Sequence, residues 1–106
     1  MLIKIKPLSI NEAYKGKKYK TDRHNQYAKD VTLMLPEHAP FKRKLKLSIT
    51  FGFSSKGSDI DNCVKPFQDL LYKKYRFNDN QIYELNVKKE IVKKGEEFIN
   101  FYIDEL

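Results

Sequence analysis

With 106 residues the chain has length for one hydrophobic core and not for two, and 41% apolar residues with seven Tyr and seven Phe exclude a disordered polymer. A formal charge of +7 and a pI of about 9.4 favour a polyanionic partner, most simply nucleic acid. The lone Cys63 excludes an internal disulfide, no apolar run could span a bilayer and Met1 to Lys6 lacks a signal-peptide core, so we read a cytoplasmic protein with no membrane partner.

Leu2, Ile3 and Ile5 alternate with Lys4 and Lys6, the period of a strand that ends at Pro7. Leu8 to Tyr14 leaves that strand as a loop and leads into a basic run holding Lys15, Lys17, Lys18, Lys20 and Arg23, with Tyr14 and Tyr19 interleaved. Cationic side chains offer contacts to phosphates, and a tyrosine ring offers a face to an unstacked base. A solvated basic loop has the same composition; the acidic cluster further along is what favours contact with DNA.

Thr21 caps a predicted helix from Asp22 to about Leu35, where Pro36 stops it, and Asp22 suits the positive end of its dipole. Tyr27, Ala28, Val31, Met34 and Leu35 recur at helical spacing as a core face. His24 and His38 have no partner at ligand spacing, so neither reads as a metal ligand. Leu45, Leu47, Ile49, Phe51 and Phe53 alternate with Lys46, Ser48, Thr50 and Gly52 in the cleanest strand of the chain.

Ser54 to Ser58 then delivers an acidic cluster. Asp59 and Asp61 stand two apart before a second helix, which starts near Asp61 or Asn62 as N-cap and runs to about Lys74. Pro66 suits that helix only near its first turn. Val64, Phe67, Leu71 and Tyr75 form its inward stripe, while Asp61, Lys65 and Asp69 share another face. Two closing strands, about Gln81 to Val92 and Glu97 to Asp104, form a C-terminal hairpin around Lys93-Lys94-Gly95-Glu96. The second is apolar on both faces, so it is either central in the sheet or covered by another subunit.

Carboxylates set close together stay ionised only when a cation compensates them. Asp59 and Asp61, joined through the fold by Asp79, would make an oxygen site for Mg²⁺, with Lys65 one helical turn away to neutralise charge on a phosphate. Against this stands a structural reading in which Asp59 or Asp61 is an N-cap and Lys65 its surface ion-pair partner.

The run Asp59-Ile60-Asp61-Asn62-Cys63-Val64-Lys65, with the further Asp69, resembles the D-x-D-N-x-x-K motif of the RusA family, Holliday-junction resolvases of bacteria and phages. Asn78-Asp79-Asn80-Gln81-Ile82 is similar to the family's later D-D-x-Q element, with Asn78 in place of its first acid. Pro7-Leu8-Ser9-Ile10-Asn11 and Tyr14 resemble its P-P-S-x-N segment, one proline missing, and Thr21 to Tyr27 resembles its capped helix. The resemblance implies that Asp59, Asp61 and Asp79 are the metal-binding catalytic carboxylates, Lys65 the catalytic lysine and Mg²⁺ the cofactor. Asn62 and Asp69 become supporting residues. Asn11 joins Tyr14, Lys15, Lys17, Lys18, Lys20 and Arg23 as candidate DNA-contacting residues. It also implies a homodimer, whose two-fold axis suits the near two-fold symmetry of a four-way junction.

The expectation is therefore one small α+β domain over residues 1–106, a mixed sheet flanked by two helices with a C-terminal hairpin. Its activity would be Mg²⁺-dependent resolution of Holliday junctions by paired symmetric nicks. The alternatives are a non-catalytic DNA-binding module of the same fold and a nuclease for flaps or forks. An RNA-binding domain would need an RNP-like aromatic motif or a G-x-x-G loop, and neither is present.

Overall fold

The computed structural model describes residues 1–16 and 19–106. In chain order the elements are β1 (Leu2–Ile3), α1 (Ile10–Ala13), β2 (Tyr14–Lys15), β3 (Tyr19–Lys20), α2 (Asp22–Met34), β4 (Leu45–Phe53), α3 (Asp61–Tyr75), β5 (Ile82–Ile91) and β6 (Phe98–Glu105), with a 3-10 turn, Asp79–Gln81, leading into β5. The four-stranded sheet is ordered β1-β6-β4-β5. Its β4 runs antiparallel to β6 and parallel to β5, so the sheet is mixed and the domain is α+β.

Alternation in β4 has the expected consequence: Leu45, Leu47, Ile49, Phe51 and Phe53 are buried on the helix-covered face, while Lys46, Ser48 and Thr50 face the open side and are half-buried. Phe67 of α3, fully buried, packs its ring against Phe51 and Phe101 and so joins helix to sheet across two strands. Tyr27 and Val31 of α2 belong to the same core. The predicted stripe of α3 is realised in Phe67, Leu71 and Tyr75, with Val64 half-buried and Cys63, Pro66 and Leu70 buried as well.

Some features go beyond the sequence reading. The first strand is only two residues long, because beyond Ile3 the chain turns, with Ile5 N donating to Ile3 O, and heads for Pro7. The segment expected to be a loop contains one helical turn, α1, closed by a capping box in which Glu12 N donates to Ser9 Oγ and the Glu12 carboxylate accepts from Ser9 N. Two long helices therefore come with a third, short one. The C-terminal hairpin has the expected direction and short turn, with Glu96 N bonded to Lys93 O and Gly95 at φ 94°. It is a split hairpin: β4 lies between its two strands, and each pairs with β4 instead of with the other. The most apolar strand takes the place where both of its edges are hydrogen-bonded, and this also answers the question about β6, which is central.

Gly52 is the one position in β4 where the open face demands a glycine. A Cβ there would lie 2.4 Å from Cδ1 and Cε1 of Phe98, its neighbour on β6, whose ring occupies that space.

Candidate active site

Asp59 lies on the loop that leaves the C-terminal end of β4, and that loop is tied down. The Lys89 ammonium on β5 donates to Lys56 O at 3.0 Å and Ser58 O at 2.8 Å. Ser54 Oγ donates to Glu97 Oε2 at 2.9 Å, while Glu97 Oε1 accepts from Gly95 N at 2.8 Å, joining the loop to the β5–β6 turn. Both Glu97 oxygens are thus acceptors, and hydrogen bonds from its own backbone N–H first, then from Ser54 and Gly95 N, hold its carboxyl below the usual range.

The N-cap of α3 is Ile60, in helical conformation and with no side-chain cap bond; neither Asp61 nor Asn62 caps the helix. Asp61 sits instead in the first turn, exposed, beside the positive end of the helix dipole. Among the described residues the ion pairs are Arg23–Glu12, Lys65–Asp69 and Lys74–Glu37, so Asp59 and Asp61 have no cationic partner there.

Cys63, buried one turn into α3, reports on the charges around it. Its thiol is pushed up to about 11, first by burial and then by the carboxylates of Glu12, Asp61 and Asp59. Glu12 is the member that the sequence reading overlooked. It carries an identifiable sequence signal, the Ser9-x-x-Glu12 capping pattern. Its Oε2 lies 2.7 Å from Arg23 Nη1. Glu12, Asp59, Asn62 and Cys63 line one cavity of about 310 Å³.

Lys65 is exposed and one turn beyond Asp61, 3.5 Å from Asp69 on the same helix face. It lines an open hollow with Asn11 and Tyr14, so three of the predicted residues meet there. Lys15 and Lys20 are exposed on the β2–β3 ribbon, where Lys15 faces Tyr19 and Tyr14 faces Lys20. Arg23 reaches back to Glu12. Lys17 and Lys18 lie outside the described residues.

Asp79 is elsewhere. It stands at the turn before β5, whose Ile82 pairs with Leu45 at the start of β4, whereas Asp59 follows Phe53, which pairs with Ile91 at the other end. Eight strand steps separate those ends, roughly 26 Å at the usual rise. Asp79 lies near the end of α3, where burial first and then the Asp79 and Asp69 carboxylates raise the Tyr72 hydroxyl. Gln81 is a structural residue, since its Nε2 donates to Phe41 O and Arg43 O at 3.1 and 3.0 Å and its Oε1 accepts from Asn78 N at 2.9 Å.

The donors at the Asp59–Asp61 end are carboxylate oxygens. These suit Mg²⁺, which takes one or two protein carboxylates and leaves its remaining positions to water and phosphate. Among the described residues no group of three His, Cys, Asp or Glu side chains is placed to hold a metal ion, so the chain by itself offers that donor set without Asp79. Among the same residues no helix is long and apolar enough to cross a membrane.

Residues 6–100 match the family model described as Endodeoxyribonuclease RusA. No curated protein matches the chain.

Proposed function

Since the chain belongs to the RusA endodeoxyribonuclease family, whose members hydrolyse phosphodiesters of branched DNA as Holliday junction resolvases, we propose that it resolves such junctions by paired symmetric nicks in a Mg²⁺-dependent reaction, acting as a homodimer. The observation that supports this reading most directly is the pair Asp59 and Asp61, exposed at the head of α3 with neither a cap bond nor an ion pair among the described residues. The structural alternative, in which Asp61 caps the helix and Lys65 pairs with it, would need bonds of which neither is present.

Asp59 and Asp61 would hold Mg²⁺, and Asp79, at the far end of the sheet within one chain, would join them only as a ligand from the second copy of the homodimer. Bound there, the ion supplies Lewis-acid stabilisation of phosphate charge and a water acidified towards hydroxide. The remaining work falls to side chains of this chain. The Lys65 ammonium, held from behind by Asp69, stabilises negative charge as it builds on the scissile phosphate. Asn11 and Tyr14, sharing the hollow with Lys65, orient the strand, the amide against backbone oxygen and the ring against a base. Lys15 and Lys20 contact flanking phosphates and contribute affinity without sequence choice. A four-way junction presents two equivalent strands about a near two-fold axis, and a two-fold dimer meets both.

The test is cleavage of a mobile four-way junction with Mg²⁺, beside linear duplex and a replication fork. Paired nicks confined to the junction are expected. Asp61→Asn should abolish them while leaving junction binding equal or tighter, since a ligand and a repulsive charge go together. Full activity in that variant would remove Asp61 from the mechanism. Tight binding without nicks under any divalent ion would make the protein a binding module.

A further inference from the structure

Resting on the reading of Asn11, Tyr14 and Lys65 as the grip on DNA, we infer that the ion pair Glu12–Arg23 is a clamp that positions that grip, and that Arg23 acts through Glu12 and not on a phosphate. Strands β2 and β3 have two residues each, with Tyr14 facing Lys20 and Lys15 facing Tyr19. A ribbon of that size is not stable in water by itself, so its direction is set where its two ends leave the fold. Those ends are Ala13, fully buried, and Thr21, the N-cap of α2.

Glu12 is bonded on both sides of that base. Its Oε1 accepts from Ser9 Oγ at 3.2 Å and from Ser9 N at 3.5 Å, which closes α1. Its Oε2 lies 2.7 Å from Nη1 of Arg23, the second residue of α2. Its carbonyl accepts from Thr21 Oγ1 at 2.6 Å, while Thr21 N donates to Ala13 O at 3.0 Å. Three contacts therefore join the end of α1 to the start of α2, and Glu12 makes two of them.

The place of Arg23 in its helix agrees with this role. The first turn is the positive end of the dipole, where a cation is unfavourable unless an anion answers it, and Glu12 is that anion. A phosphate could recruit Arg23 only by displacing a carboxylate already 2.7 Å away. Lys15 and Lys20, exposed on the ribbon, have no ion pair among the described residues and meet no such competition.

What the clamp positions is the hollow beside α3. Asn11 precedes Glu12 and Tyr14 follows it by two residues, and both line that hollow with Lys65. Turn α1 lies against α2 on one side and α3 on the other. A tilt of α1 away from α2 would carry Asn11 and Tyr14 together off Lys65, leaving the acids at the head of α3 where they are.

Four proteins test this: wild type, Glu12→Gln, Arg23→Gln and the double variant. Glutamine at position 12 can still complete a capping box, so Glu12→Gln removes the charge and keeps α1. Junction binding is measured without divalent ion over a range of salt. Each single variant should bind about two- to fivefold more weakly, the worth of a partly exposed pair, and the double variant no more weakly than either. A pure charge effect has the opposite signature, since Glu12→Gln makes the protein more basic and would tighten binding. In Arg23→Gln the slope of log affinity against log salt should keep its wild-type value, whereas loss of a phosphate contact lowers it by about 0.9. Tighter binding by Glu12→Gln, additive losses in the double variant or a slope reduced by that amount overturns the clamp. With Mg²⁺, the protein concentration for half-maximal single-turnover cleavage should rise by the same factor in each single variant, with the plateau rate within about twofold of wild type. A loss confined to the plateau would place the pair with the metal site and overturn its role in the grip. Without DNA, exchange of the Thr21 amide should accelerate about two- to fivefold in both single variants, and unchanged exchange overturns the clamp. That arm needs neither binding nor cleavage: a wild type that ignores junctions would refute the proposed function, and the exchange would still decide the clamp.

Discussion

Lys89 is the side chain on which the acid loop depends, and replacing it tests whether the position of Asp59 is set by the sheet. Its ammonium makes bonds of 3.0 and 2.8 Å to the carbonyls of Lys56 and Ser58, the second one residue from Asp59. The loop's own bonds, Ser58 N to Ser55 O and Gly57 N to Ser55 Oγ, are both 3.3 Å and weaker. Buried hydrogen bonds from a charged donor contribute roughly 1.5–3 kcal/mol each; in solvent, where Lys89 lies, about half a kcal/mol to one is realistic, or about 1–2 kcal/mol for the pair. Since about 1.4 kcal/mol is a factor of ten in a population, Lys89→Met, which keeps the stem, should lower single-turnover junction cleavage by about five- to thirtyfold. The cost falls on local opening, so Tm should move by no more than about 2–4 °C. Amide exchange from Lys56 to Ile60 should accelerate by a similar factor, with the oligomeric state unchanged. Unaltered cleavage and exchange would mean the two bonds hold nothing. A Tm loss as large as that of a core variant would mean that Lys89 supports the fold and not the loop.

Two further outcomes follow from packing and charge. Gly52→Ala would force its Cβ to 2.4 Å from the Phe98 ring, and should cost about 1–3 kcal/mol in chemical denaturation; in a Phe98→Ala background the same change should be nearly free, and equal costs in both backgrounds would refute the clash. The Cys63 thiol, at about 11 against an ordinary value of 9, should alkylate at pH 8 about a hundredfold more slowly than an exposed cysteine. Glu12→Gln should speed that reaction by removing the carboxylate with the largest effect of the three. Because the folded thiol stays neutral where the unfolded one ionises, stability attributable to Cys63 is lost as pH rises from about 9 through 11, and the urea midpoint of wild type should fall more over that window than that of Cys63→Ser. A matching fall in both proteins would place the effect on other groups.

What local pattern controls was legible. Five alternating apolar residues define β4 to its ends, and Thr21 and Pro36 bracket α2, whose cap bond runs from His24 N to Thr21 Oγ1. Where several residues compete for one role, pattern does not decide. Ser58, Asp59, Asp61 and Asn62 are all cap-forming residue types, and α3 uses none of them: its N-cap is Ile60, and the loop before it is bonded by Lys89, a contact across thirty-one residues of chain. Turn α1 is four residues long, too short for periodicity, and only its capping box marks it. Pairing between strands is a still longer-range choice. The direction and turn of the C-terminal hairpin follow local rules, but β4 has more apolar surface to bury than either of its strands and occupies the position between them.

The same topology decides what one chain can do with its acids. A parallel β4–α3–β5 unit starts both strands at the same end of the sheet and uses the helix to return the chain there. Residues just after β4 and residues just before β5 are then at opposite ends by construction, and the fifteen residues of α3, about 22 Å of helix, measure the distance. Asp59 and Asp61 are in the first position and Asp79 is in the second, so no local adjustment of loops can gather the three. If Asp79 belongs with the other two, it comes from another molecule.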